Sequence, residues 1–366
     1  MKLPVDTDPI NPASLPSAGM IVREKEPVNL EMPFGSLDSF ITPADQFYVR
    51  CHHPIPEIDA ETWRLEIEGD VENPFSLGYA DLEAMERRTI TTTMECAGNG
   101  RTFLEPQRAG AQWEGGAVGT AEWTGVPLAD LLTRAGVRAS AREVILIGAD
   151  LGEIKEPPRP EGEIHYSRSL PLKKATDDVL LAMAMNGQRI APSHGFPLRA
   201  VVPGWYGMAA VKWLTRIVVS SEPYQGYYQT IDYSYWERGS TAPTLIPITE
   251  MRVKAQIARP GYAEAVPAGQ PYRVHGAAWT GGAEITRVEV STDGGKQWND
   301  ATLLGEAVRD AWRLWEYEWA VPDQTGETVL MARATDSLGR TQPPQHHDDR
   351  SSYLIHHWLP VKVLIR

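Results

Sequence analysis

The pattern of apolar and polar positions divides the chain in two. Up to about residue 245, short strand-like runs alternate with helical ones; beyond it, strand follows strand. In the first part, Thr62–Gly69 (TWRLEIEG) alternates with period two, which predicts a strand with one buried face. Gln46–Arg50 alternates likewise, and the Pro54–Pro56 stretch after it must leave the sheet. Ile90 and the three threonines that follow form a β-branched run with strand character, ending at Cys96. Val144–Gly148 is an apolar run of buried-strand type leading to Asp150, and His165–Leu170 reads as a strand. Tyr79–Met85, Val126–Ala135 and Thr176–Ala184 read as short helices, the second ended by Gly136. Asn186-Gly187 is a hairpin-type turn. Residues 1–26, rich in Pro, Ser and charge, read as an arm on the surface, with order beginning near Phe40. Glu237–Pro247 has the composition of a linker.

Past that linker come MRVKAQIA, YRVHGAAW, ITRVEVSTDGGKQW, WRLWEYEW and TVLMARATDSLG, separated by Gly, Asp and Pro turns. About seven strands in about 120 residues fit an immunoglobulin-like sandwich, with the tryptophans as core and interface residues. The predicted organisation is therefore α+β: an arm over 1–26, a mixed α/β domain over 27–245, and an all-β domain over 246–366.

Composition narrows the partners. At 366 residues the chain suits two domains, and its net charge of -13 argues against a general nucleic-acid or anionic-membrane binder. Its two cysteines do not suggest a disulfide framework. No apolar span of about 20 residues is present, so no membrane crossing is expected. The N-terminal stretch has neither an apolar signal region nor a twin arginine, so a cytoplasmic place is expected, with a periplasmic one left open.

Candidate chemistry gathers at two places. In TTTMECAGNGR, a strand delivers Cys96 to a turn of Gly and Asn, residues that accept positive φ, and Arg101 follows at once. Cationic surroundings favour a thiolate there; a core cysteine before an ordinary turn is the other reading. Between Ser193 and Trp213, Gly and Pro interleave with His194, Arg199 and Lys212. Point charge, bidentate donors and room for backbone contact are what a phosphate-bearing cofactor needs; basic surface loops are the alternative. Arg50 and His52 share a strand face, which suits an anionic ligand or an exposed edge strand. The Gly-rich Trp113–Trp123 segment lacks the spacing of a nucleotide loop. The pairs His346-His347 and His356-His357 are not expected to hold a metal, since adjacent strand residues face opposite ways.

These motifs resemble the molybdenum-containing sulfite oxidase family, in its haem-free bacterial or plant-like form. The likeness is carried in order by FYVRCHHPIP, ECAGNGR, the Trp113 segment, SHGFPLRAVVPGWYG, VKW and IDY. In the tail, DGGKQW and RATDSLGRTQP match the family's dimerisation domain, and the match runs from about Val22 to Arg366. The resemblance implies a homodimer that oxidises sulfite to sulfate and passes electrons to an external acceptor such as a cytochrome or oxygen. It implies a molybdenum–molybdopterin cofactor with Cys96 as the metal's thiolate ligand. Tyr48, Val49, Arg50, Cys51 and His52, with Asp150, His194, Arg199, Ala210, Val211 and Lys212, match positions that hold the pyranopterin and its phosphate. Arg50, Arg101, Trp113 and Tyr233 match the anion pocket beside the metal. Departures are present: Cys51 stands for the usual Asn, Gly100 for a common arginine and Ala109 for a lysine of vertebrate members. Tyr353–Trp358 (YLIHHW) offers no match for a further pocket arginine. No CxxCH occurs, so no haem is expected. The alternatives are another oxotransferase of the same scaffold, reducing nitrate or a sulfoxide, or a non-enzymatic dimeric binding protein, which leaves both clusters without a purpose.

Overall fold

Alternation translates directly into burial along Arg64–Gly69: Leu65 and Ile67 are buried and their neighbours are not. The computed structural model describes residues 19–239, 242–350 and 352–366. Over these the chain is mostly strands with few helices.

Two five-stranded sheets build the first part. One has the order Gln188–Arg189, Leu180–Met185, Val118–Pro127, Arg88–Glu95, with Arg199–Val201 added on Leu180–Met185. The other runs Phe75–Gly78, Arg64–Gly69, Leu214–Ser220, Glu143–Glu153, Glu163–Pro171, with only the Arg64–Gly69 and Leu214–Ser220 pair parallel. The helix Leu128–Ala135 shows why its residues fold as they do. Leu128, Leu131, Leu132 and Ala135 recur at helical spacing and are buried. Asp130 lies in the first turn and Arg134 in the last, each favoured by the helix dipole. Gly136, at φ 68°, donates back to the Leu132 and Thr133 carbonyls and ends the helix.

The tail holds two further sheets, Lys254–Arg259, Pro271–Trp279, Arg313–Ala320, Thr302–Leu303 and Ala265–Val266, Val361–Ile365, Gly326–Asp336, Ile285–Ser291, Asn299–Asp300. They share a core that includes Val274, Val288, Trp315, Leu330 and Ala334. The tail also enters the core of the first part. Trp279 and Trp312 join the cluster that holds Phe34, with Phe34–Trp279 and Trp279–Trp312 ring centroids 6.4 and 6.5 Å apart. The Asp310 carbonyl accepts from Thr93 N–H and Thr92 Oγ1, both at 2.9 Å, and so docks the tail on the strand Arg88–Glu95.

Three local expectations fail. Thr176–Ala184 is not one helix: Leu172–Asp177 is helical and Leu180–Met185 is a central strand buried at every position. A continuous apolar run has no period to separate strand from helix. Glu237–Pro247 is not a plain linker, because Ser234–Arg238 and Pro243–Pro247 pair as a hairpin. Of the arm, residues 1–18 lie outside the described residues. Order begins before Phe40, since Ile21–Lys25 and Val28–Glu31 form a hairpin whose second strand pairs with Val49–Arg50. Among the described residues no helix is long and apolar enough to cross a membrane.

Candidate active site

The strand Arg88–Glu95 ends inside the protein, so the turn after it is buried throughout Cys96–Arg101. Cys96 N–H donates to Ala117 O at 2.9 Å, Asn99 N–H to Cys96 O at 2.9 Å and Arg101 N–H to Gly98 O at 3.1 Å. Gly98 has a physical reason: a Cβ there would collide with the Arg101 guanidinium. Gly100 has another, a φ of 92° that disfavours an arginine at this position.

Cys96 opens into a cleft also lined by Tyr48, Arg50, Cys51, His52, Asp150, His194, Arg199, Ala210, Lys212 and Tyr233. Ten cofactor and pocket residues singled out from the sequence thus meet Cys96 in one place, drawn from segments far apart in the chain. Val49 and Val211 are buried behind the cleft without lining it. Trp113 is fully buried in the cluster that holds Tyr48, Met94 and Cys96, its Nε1 without a hydrogen-bond partner among the described residues. Arg101 does not line the cleft. Its Nε donates to Ser352 O at 3.2 Å and its Nη1 to Ala111 O at 2.5 Å, and its guanidinium lies 5.3 Å from the centre of the Tyr353 ring.

Electrostatics differ along the cleft. At the Cys96 end, burial pushes the thiol's pKa up, while Arg50 and Arg101 pull it down without prevailing. The thiolate bias expected from the sequence is therefore outweighed by desolvation. Burial works against the Arg50 charge, but Tyr233 and Cys96 push its pKa up on balance. Burial raises Tyr233, and burial with Arg50 keeps His52 neutral; Tyr233 Oη and His52 Nε2 are 2.6 Å apart.

At the other end, Arg199 donates to His194 O at 2.9 Å and Ala210 O at 3.3 Å. Lys212 Nζ donates to Ser193 O at 3.0 Å and to Cys51 Sγ at 3.2 Å, which gives the unexpected Cys51 a use as a weak acceptor. Neither cation forms a salt bridge among the described residues, and burial pushes Arg199 down to about 10, lowers Lys212 and holds His194 at about 3. Asp150 is pushed up to about 6 by burial, against Lys212, and its Oδ1 has no hydrogen-bond partner among the described residues. Buried cations with no salt bridge and a carboxylate oxygen with no donor, both among the described residues, fit a ligand with a phosphate and N–H groups. A phosphate-bearing pterin meets both demands.

Other residues of the site carry no sequence signal strong enough to single them out. Met94, Tyr166, Ser193 and Trp213 also line the cleft. Arg168 is fully buried, donates to Ile248 O at 2.9 Å and sits 5.9 Å from the centre of the Tyr233 ring. An arginine set between two serines, Ser167 and Ser169, in the buried half of its strand was the available clue. Tyr353 packs 5.0 Å from Tyr233 and donates to Asp232 Oδ1 at 2.7 Å. The histidine pairs stay apart from the cleft, and no metal-type cluster of His, Cys, Asp and Glu occurs among the described residues.

The model of a family described as an oxidoreductase molybdopterin binding domain matches residues 52–228, and that of a Mo-co oxidoreductase dimerisation domain matches residues 246–365. The chain is similar to mitochondrial sulfite oxidase of Rattus norvegicus, 35% identical over 92% of this chain and 64% of the relative. It is similar to sulfite oxidase of Arabidopsis thaliana, 34% identical over 88% of this chain and 87% of the relative. The chain spans 58 to 64% of the length of the animal mitochondrial relatives it matches. Among solved structures, the sulfane dehydrogenase SoxCD of Paracoccus pantotrophus is similar, with a TM-score of 0.80, 28% identity, and coverage of 99% of this chain and 92% of that one.

Proposed function

This chain belongs to the sulfite oxidase family of molybdopterin oxidoreductases, and from that premise we propose that it oxidises sulfite to sulfate. Sulfite and water give sulfate, two protons and two electrons, and the electrons pass to a separate acceptor such as a cytochrome or oxygen. The working unit in this reading is a homodimer held through an immunoglobulin-like tail. One observation carries the reading: a buried thiol shares a cleft with Arg50 at one end and, at the other, with Arg199 and Lys212, cations that form no salt bridge among the described residues.

When bound, the molybdenum cofactor would supply oxygen-atom transfer and take up the electron pair. Cys96 would hold the metal through its sulfur, a soft ligand that gives up its proton on binding. Arg50 and Arg101 lower the cost of the thiolate so formed. Arg199, Lys212 and the neutral His194 would hold the phosphate, and Asp150 would accept from a pterin N–H. Arg50 would hold the anionic substrate by charge-assisted hydrogen bonds. Tyr233, neutral at pH 7, would donate its hydroxyl to a substrate oxygen, with His52 fixing the orientation of the phenol. Trp113 would exclude water from behind the site.

A second reading, oxidation of a sulfane sulfur, draws on the likeness to the SoxCD structure. Arg101 spends donors on main-chain carbonyls and Tyr353 covers its guanidinium, so among the described residues Arg50 is left as the guanidinium lining the substrate end. Metal analysis followed by a dye-acceptor panel of sulfite, a sulfane compound, nitrate and a sulfoxide separates the readings. The expected result is one molybdenum per chain and the highest kcat/KM on sulfite. Metal-free protein, or turnover of another substrate in place of sulfite, would overturn the proposal.

A further inference from the structure

The turn that carries Cys96 is gripped from behind by the tail. Glu95, the residue before the cysteine, is 1% exposed. Its carboxylate accepts from Lys254 Nζ at 2.8 Å and Trp279 Nε1 at 2.8 Å, both in the tail, and from Asn99 Nδ2 at 3.1 Å, in the turn itself. Lys254, 0% exposed, also donates to Asn99 O at 3.0 Å. Asn99 Oδ1 in turn accepts Ala117 N–H at 3.1 Å, and the carbonyl of Ala117 accepts Cys96 N–H. Lys254 and Trp279 are direct partners on adjacent strands, so the tail presents both donors from one rigid ladder. A Cβ on Gly100 would lie 3.3 Å from Ile355 Cγ2 and 3.6 Å from Lys254 Nζ, so the turn is pressed against the tail as well as bonded to it.

A buried ion pair is a poor way to gain stability, because apolar residues of the same volume do as well. What it confers is a defined position for the groups it joins. We infer that the Glu95–Lys254 pair is a cross-domain clamp that positions the Cys96 sulfur, with Lys254 and Glu95 acting as positioning residues. The inference rests on the reading of Cys96 as the metal's ligand. Lys254 lines no part of the cleft, so its effect passes through Glu95 and Asn99. Residues that orient a metal ligand in this way are typically worth about 10–100-fold in activity or metal affinity.

The test uses the cofactor-loaded full chain in four forms: native, Lys254→Met, the double variant Glu95→Gln with Lys254→Met, and Leu330→Ala in the tail core. Lys254→Met leaves a buried carboxylate without its ammonium and lowers the melting temperature. The double variant removes that charge and recovers stability, and Leu330→Ala lowers stability without touching the turn. The decisive readout is the sulfur-to-metal charge-transfer absorption band, scaled to molybdenum content, beside kcat and KM. The expected result is a shifted band and a roughly 10–100-fold lower kcat in both Lys254 variants, with KM changed by less than about threefold. Leu330→Ala keeps the native band and kcat. A double variant with native stability, band and kcat would show that the pair only holds the domains together, and would overturn the inference. Absence of the band from the native chain overturns the assignment of Cys96 and this inference with it. A band that shifts as expected in a chain without sulfite turnover overturns the sulfite reading alone.

Discussion

Replacing Arg199 with methionine asks whether the cationic end of the cleft is built for an anion that the protein does not supply. The guanidinium is buried over the Trp123 ring at 4.8 Å, and its electrostatic support comes from Tyr48 and Cys51, with no carboxylate contributing. Burial moves its pKa from 12.5 to about 10. At 1.36 kcal/mol per unit, keeping the charge costs about 3 kcal/mol. Its bonds to the His194 and Ala210 carbonyls return about 1.5 kcal/mol each, so without a ligand the side chain sits near break-even. Methionine removes the cost and the bonds together, and the unfolding free energy of the cofactor-free chain should change by less than about 1 kcal/mol. A bound phosphate shifts the balance, because a hydrogen bond to a charged group contributes about 1.5–3 kcal/mol. Its loss weakens cofactor binding by about 10–150-fold. The assay is molybdenum and pterin retained per chain after prolonged dialysis, with an unfolding curve on the same sample. A variant that unfolds like the native chain and also retains cofactor like it would refute the reasoning.

Further expectations concern single groups. Cys96→Ser should keep the fold and lose turnover by at least about a hundredfold, because a hydroxyl is a hard, poorly ionised ligand; sulfite kinetics on the folded variant check it. Arg50→Gln should raise the KM for sulfite by about 10–150-fold, whereas Arg101→Gln, whose donors are bound to main-chain carbonyls, should lower the melting temperature more than it raises KM. Asp150 has a folded-state pKa raised from 3.8 to about 6, so in the cofactor-free chain its stabilising contribution is complete below about pH 4 and is lost as pH rises through 6, a swing of about 3 kcal/mol. Asp150→Asn should remove that swing, of which urea unfolding at pH 4.5 and 7.5 measures about 2 kcal/mol.

How much of the fold could be read in advance depended on whether an element kept one face in water. Arg64–Gly69 and Leu128–Ala135 each bury one side, and their periods of 2 and 3.6 are plain in the sequence. Leu180–Met185 is buried on both sides, so its sequence carries no period, and its Leu, Ala and Met are all good helix formers. Tertiary pairing with Val118–Pro127 and Arg199–Val201 decides its state, and those partners are far away in the chain. The hairpin of Ser234–Arg238 and Pro243–Pro247 was hidden for the opposite reason. Its residues are largely exposed, and prolines stand at both ends of the second strand, which gives the composition of a loop.

The site divides along a similar line. Residues whose chemistry is unusual for their surroundings, such as Cys96 before a Gly-Asn turn or Arg199 among apolar neighbours, are visible because sequence shows the mismatch. Which way a side chain points is not visible. Arg101 follows the Cys96 turn closely, which in the sequence suggests reach toward whatever the cysteine faces. Yet Gly98 and Gly110 both leave room for its guanidinium, and a Cβ on either would collide with it. The slot between two glycines turns Arg101 toward the Ser352 and Ala111 carbonyls, where it braces the turn and acts on Cys96 by its field. Tyr353 then covers it and packs on Tyr233, and the Tyr353 hydroxyl is tied down by Asp232. The tail therefore contributes an aromatic wall to the neighbourhood of Tyr233 where a cation was sought in the sequence. Among the described residues Arg50 is the guanidinium that an anion entering the cleft meets at the Cys96 end, which makes Arg50 the residue on which substrate affinity should depend most steeply.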